Sequence, residues 1–230
     1  MTYQKNKEEV AQMLSERMSY VKNKLSEKRN LVNEVAYERN RKEIVHFLNE
    51  RYPHGTGCEV GVLKGEFSKH LLSNWNCKKM YLVDCWENHP NDYDEKFHNH
   101  DNNYICMKNN LIDFDDRIEI CKGFSDQVVQ TFPDEYFDFI YIDANHSYEG
   151  CKRDMDCYWR TLKTGGIMMG DDYHLQDIED LSFNGNKVRF GVKKAVLDFA
   201  KTHNKILDIS YTADWVYPNY IPARNFIIQK

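Results

Sequence analysis

A chain of 230 residues with 41% hydrophobic and 29% charged side chains can bury one sizeable core and has the composition of an ordinary globular protein. The formal net charge of −5 argues against a phosphate-backbone partner. The basic group Arg39, Arg41, Lys42 and Arg51 reads as a solvated helix face, so no nucleic acid is expected. The longest apolar stretches, Phe139 to Ile142 and Gly166 to Gly170, are far too short to cross a bilayer. The charged N-terminus lacks an apolar signal region, so a cytoplasmic protein that spans no membrane is expected. The cysteines at 58, 77, 85, 106, 121, 151 and 157 are odd in number and form no C-x-x-C pair, which argues against a disulfide framework or zinc site and suggests buried reduced thiols.

Residues 7–52 read as helix. Leu14, Met18, Val21, Leu25, Val32 and Val35 recur at close to heptad spacing, interrupted at Lys28. Such a seam needs an apolar partner, either the chain's own core or a second copy. Residues 1–55 are therefore expected to form a helical extension that caps the substrate end or builds a homodimer. A second helix from about Glu38 to Arg51 ends before Tyr52-Pro53. From there, strand and helix alternate through a domain at 56–230. Strand-like runs lie at Cys58–Val62, Lys79–Cys85, Arg117–Cys121, Phe137–Asp143, Gly166–Gly170, Leu207–Tyr211 and Arg224–Ile228. Helical runs lie at Glu66–Trp75, Tyr148–Leu162 and Val188–Thr202. This alternation predicts an α/β fold whose mostly parallel sheet is covered by helices on both faces. Two long polar segments, 87–110 and 173–187, break the rhythm at strand C-terminal ends, the edge where such sheets bind ligands.

Three groups of residues carry chemistry. Glu59-Val-Gly61-Val-Leu-Lys-Gly65 ends the first strand in a glycine turn that a ligand can approach without Cβ interference. Its G-x-x-x-G spacing differs from the G-x-G-x-x-G of nucleotide dehydrogenases. Asp84, before Cys85-Trp86, ends the second strand about 20 residues later, where an acid can accept both hydroxyls of a ribose. That feature fits NAD and S-adenosylmethionine equally. Gly123-Phe124-Ser125 follows the third strand and could set a hydroxyl and a flat apolar edge against an adenine. Finally, Asp143 with His146, and Asp171-Asp172 with His174, follow adjacent strands. Three acids at one edge repel unless a cation or proton compensates them, and hard oxygen ligands of this kind suit magnesium or calcium.

Taken together, residues 57 to about 200 resemble the class I S-adenosylmethionine-dependent methyltransferases, and more narrowly the family 24 and macrocin O-methyltransferase-like sugar methyltransferases. The resemblance rests on Glu59-x-Gly61-x-x-x-Gly65, Val83-Asp84-x-Trp86, Ile142-Asp143-x-x-His146-x-Tyr148, Leu162-x-x-Gly165-Gly166, Gly170-Asp171-Asp172-Tyr173 and Val192-Lys193-Lys194-Ala195. It implies a Rossmann-like seven-stranded sheet whose last strand is antiparallel. It also implies cofactor binding by Glu59, Gly61, Gly65, Asp84, Trp86, Gly123, Ser125 and Asp143, and magnesium held by Asp143, Asp171 and Asp172. Catechol-type O-methyltransferases are similar but carry a lysine beside the first acid, where this chain has Ala144.

The expected reaction is an in-line methyl transfer to a hydroxyl, activated by a metal and by a base drawn from Asp143, His146 and His174. The polar segments and the resemblance favour a sugar or glycan as acceptor, with a phenolic or natural-product scaffold next. Trp86, Tyr93, Phe97, Tyr104, Tyr173 and Phe183 could line either pocket. An NAD(P)-dependent oxidoreductase and a non-catalytic binding module are the rival readings.

Overall fold

The computed structural model describes residues 44–87, 99–173, 182–183, 186–187, 190–216 and 222–230. The chain divides into Met1–Glu38 and Arg39–Lys230, and all of the described residues belong to the second unit. The N-terminal seam, and with it the expected cap or dimer contact, lies outside the described residues.

In chain order the second unit runs α1 (Ile44–Arg51), β1 (Thr56–Val60), α2 (Glu66–Asn74), β2 (Lys79–Asp84), α3 (His100–Leu111), β3 (Ile118–Lys122), the short α4 (Ser125–Val128) and β4 (Phe137–Ile142). It continues through α5 (Tyr148–Trp159), β5 (Leu162–Gly170), the two-residue ladder of β6 (Ser182–Phe183) with β7 (Asn186–Lys187), α6 (Val192–Thr202), β8 (Leu207–Val216) and β9 (Pro222–Gln229). Seven strands form one sheet in the order β3-β2-β1-β4-β5-β9-β8. β1 to β5 pair in parallel, and β9 enters antiparallel between β5 and β8. The expected sheet, including its antiparallel last strand, is therefore present.

The period-two pattern of the strands divides the core. Cys58, Val60, Ile140, Ile142 and Met168 pack on one face with Cys151, Met155 and Tyr158 of α5 and Ala195, Val196 and Phe199 of α6. Met80, Leu82, Phe139, Tyr141 and Met169 pack on the other with Ile44, Val45 and Leu48 of α1, Phe67 and Leu71 of α2, and Met107 and Leu111 of α3. The segment 87–110, read from sequence as a polar loop, ends in helix α3. Its start is capped by Asn99, whose side chain accepts from the Asn102 N–H, and Asn103, Met107 and Leu111 are buried four residues apart. Asp101, Asn102, Lys108 and Asn109, which masked this helix, are exposed. No helix among the described residues is long and apolar enough to cross a membrane. All seven cysteines are free; burial raises the thiol pKa of Cys58, Cys77 and Cys151, which keeps them protonated.

Candidate active site

The five parallel strands deliver their C-terminal ends to one edge, and the ladder continues a step beyond them. Gly61 N donates to Val83 O (2.9 Å), Asp143 N to Val60 O (2.7 Å), and Gly123 N to Asp84 O (2.9 Å). From β1 the chain builds β2 and β3 on one side, then β4 and β5 on the other. The junction of β1 and β4 is thus the topological switch point, where open α/β sheets receive ligands. Gly61 makes the junction close: its φ is +90°, and a Cβ there would sit 2.1 Å from the carbonyl oxygen of Asp143.

Asp84 ends β2 with its carboxylate against the turn that follows β1. Its Oδ2 accepts from the N–H groups of Val62 and Leu63 (2.9 Å each), and its Oδ1 accepts from Trp86 N (2.7 Å). The carboxylate therefore braces the glycine turn: both lone pairs of Oδ2 are engaged, and Oδ1 keeps one for a further donor. Trp86 is 3% exposed, donates its indole N–H to Leu63 O (2.8 Å), and packs edge-on against Tyr104 with ring centroids 4.9 Å apart. Gly65, with φ +72°, precedes α2 and lies against Met107 and Leu111. Glu59 is buried on β1 and accepts a hydrogen bond from the Ser68 hydroxyl. Ser125 begins α4, and its hydroxyl donates to Asp154 Oδ1 at 2.6 Å.

Past β4 and β5, Asp143, His146 and Asp172 present ligand atoms that all lie within 4.8 Å of one another. His146 Nε2 is 3.1 Å from Asp172 Oδ2 and 3.4 Å from Asp143 Oδ1. The imidazole stacks on Phe190 (5.0 Å, 22°), and its backbone carbonyl accepts from Gly191 N (2.8 Å). Asp171 is turned differently: its Oδ1 accepts from Asp172 N at 2.8 Å, bracing the left-handed backbone of Asp172 (φ +59°). In the cluster of three, His146 thus stands where the sequence reading placed Asp171. His174, Tyr93 and Phe97 lie outside the described residues, as does the side chain of Phe183. Tyr173 is buried, with the Lys193 ammonium 5.9 Å from its ring centroid.

Two carboxylate oxygens and an imidazole nitrogen at this spacing fit a divalent ion. The carboxylates suit magnesium or manganese, and the imidazole extends the set toward iron and zinc. The sequence reading missed Phe190, which carries no motif signal, and Asp154. The latter was visible as an acid on the buried stripe of α5 between Cys151 and Tyr158.

Residues 58–173 match the family 24 methyltransferase domain. The chain belongs to that family. It is accordingly a class I methyltransferase that uses S-adenosylmethionine, and the matched segment runs from β1 through the Asp171-Asp172-Tyr173 turn. A comparison with curated proteins finds no match. Among solved structures, the methyltransferase is similar to an O-methyltransferase from Bacillus cereus in complex with SAH (14% identity, TM-score 0.56, covering 90% of this chain and 91% of that one). It is also similar to precorrin-6y C5,15-methyltransferase from Geobacter metallireducens (13%, 0.54, 82% and 88%) and to an rRNA methylase from Streptococcus thermophilus (14%, 0.53, 81% and 93%). At these identities the likeness shows the fold.

Proposed function

We propose that this methyltransferase acts on oxygen, moving the methyl group of S-adenosylmethionine to a hydroxyl of a small polar acceptor, a sugar or glycan, with a divalent cation held by Asp143, His146 and Asp172. The observation that carries the reading is the convergence of these three side chains beside the β1/β4 switch point. Gly61 and Gly65 shape the turn that receives the cofactor, Asp84 accepts from a ribose hydroxyl with the remaining lone pair of Oδ1, and Ser125 meets the adenine. Asp143, next to Gly61, is placed to serve cofactor and acceptor together. A bound cation would lower the pKa of an acceptor hydroxyl and orient it. With one carboxylate oxygen Asp143 contributes to that site, and with the other it takes the acceptor's proton. The sugar or glycan class is supported by the macrocin-type motif resemblance and by the polar segments at 87–110 and 173–187.

A second reading has its own observation. With Nε2 at 3.1 Å from Asp172, His146 is oriented by carboxylates as a general base would be, without any metal. Methyl transfer to a panel of glycosides and catechols, measured after EDTA treatment and again after adding magnesium or manganese, separates the two. The metal reading expects turnover on a sugar hydroxyl that disappears on chelation and returns with the ion. Full turnover in metal-free buffer, lost in His146→Ala, establishes the second reading and refutes the first.

A further inference from the structure

The most deeply buried acid in the described residues plays no part in the reaction above. Asp154 lies on the inner face of α5 and is 0% exposed. Its Oδ1 accepts the Ser125 hydroxyl at 2.6 Å, and its Oδ2 has no hydrogen-bond partner. One turn further on, Tyr158 donates its hydroxyl to the Ser125 carbonyl at 3.3 Å. Two side chains of a single helix therefore hold Ser125 at both its hydroxyl and its carbonyl. A buried carboxylate with an unpaired oxygen is costly, and an amide or small apolar residue would be cheaper there. Its placement answers a need other than stability.

We infer that Asp154 is a positioning residue for the cofactor: by accepting the hydrogen bond of the Ser125 hydroxyl it leaves Ser125 able only to accept, so that the turn selects a purine that donates from its 6-position. The inference rests on the reading of residues 123–125 as the adenine site. A serine hydroxyl owns one proton and two lone pairs, and an ionised carboxylate can only accept, so the Ser125 proton points inward to Asp154. What Ser125 offers outward is a lone pair. Adenine carries an amino donor at position 6, whereas its deaminated counterpart, hypoxanthine, carries an oxo acceptor that would face that lone pair.

The protonation state of Asp154 is part of the device. Burial pushes its carboxyl up to about 6, against the lowering effects of the Ser125 hydrogen bond and Arg153, while Asp126 adds to the rise. Cys151, Cys157 and Tyr158 are the other titratable groups around it, and burial raises the pKa of each, so all stay neutral near pH 6. Protonated Asp154 can donate to Ser125 instead, which frees the serine proton and blurs the selection.

Calorimetric binding of S-adenosylhomocysteine and of S-inosylhomocysteine to the full chain tests this, at pH 7.5 and pH 5, in wild type, Ser125→Ala and Asp154→Asn. Wild type should prefer the adenosyl compound about tenfold or more at pH 7.5, a preference that shrinks severalfold at pH 5. Asp154→Asn, whose amide can donate to or accept from Ser125, should narrow the preference at pH 7.5 and remove its pH dependence. Ser125→Ala should lose the preference at both values. A wild-type preference that is flat between pH 5 and 7.5 overturns the inference without recourse to any variant. So does an Asp154→Asn protein that keeps both preference and pH profile while Ser125→Ala loses them. If Ser125→Ala binds both compounds as wild type does, the adenine site is elsewhere and the reading beneath the inference fails.

Discussion

Replacing Gly61 by alanine tests the closure of β1 against β4. The residue sits at φ +90°, which costs a side chain roughly 1–2 kcal/mol of backbone strain. The added Cβ would lie 2.1 Å from Asp143 O, 2.4 Å from Asp143 C and 2.6 Å from Ala144 N, all of them backbone atoms that cannot rotate away. Ordinary contact begins near 3.4 Å, so the exit of β4 must retreat by more than 1 Å. Forced overpacking of this kind costs about 1–3 kcal/mol beyond the strain. The whole penalty is then about 2–5 kcal/mol, and it falls on the turn that aims Asp143. Urea unfolding should show the lost stability as a lower midpoint at unchanged slope. Calorimetry with S-adenosylhomocysteine should show affinity reduced at least tenfold in the fraction that stays folded. A Gly61→Ala protein with wild-type midpoint and wild-type affinity would mean that the two strand exits are not in contact and that the switch-point site is misplaced.

Asp84→Ala removes the acceptor of three backbone N–H groups as well as the expected ribose contact, so both stability and S-adenosylmethionine affinity should fall, the latter by about 1–3 kcal/mol; cofactor titration with a parallel urea curve reads both. Asp172→Asn should raise the metal concentration needed for half-maximal turnover, whereas Asp171→Asn should act through the Asp172 backbone and change metal affinity less; metal titration of activity ranks the two. Asp154 supplies a pH prediction with a definite sign. Its folded pKa lies above its unfolded one, so between about pH 4 and 6 the native state holds the extra proton and stability falls as pH rises. The shift corresponds to roughly 3 kcal/mol, and Asp154→Asn should therefore be more stable than wild type at pH 7 with the advantage fading toward pH 4, checked by urea midpoints across that range. Finally, light scattering on the full chain and on a truncation starting at Arg39 tests the dimer. A dimer in the first and a monomer in the second supports it, and a monomer in both disposes of it and leaves the seam to the chain's own core.

Much of the fold was legible because parallel strands buried on both faces leave short, β-rich runs between glycine turns, as in Phe137–Ile142 and Lys79–Asp84. Boundaries drifted where strand and turn share a residue type: β1 begins at Thr56 rather than Cys58, and β5 reaches back to Leu162, through two glycines that read as a turn. The helix His100–Leu111 was hidden because its apolar face is narrow and its partners, Gly65 and helix α2, are remote in sequence. Within the site, the convergence of Asp143, His146 and Asp172 on one edge followed from the parallel topology. The choice of Asp172 over Asp171 did not, because it depends on a left-handed residue that no spacing rule specifies.

That left-handed residue belongs to a pattern. Of the five described non-glycine residues with positive φ, three follow strand C-terminal ends at the site: Leu63 after β1, Trp86 after β2 and Asp172 after β5. Each such residue costs energy, and each is held by an aspartate. Asp84 accepts from the N–H of both Leu63 and Trp86, and Asp171 from that of Asp172. The acids at this edge thus divide their work. Asp84 and Asp171 hold strained backbone in place, and Asp143 and Asp172 present oxygens beside His146. Strain over-determined by hydrogen bonds is a means of fixing geometry before a ligand arrives, which an in-line displacement requires. A carboxylate at the end of a parallel strand can therefore serve the site without touching the reaction.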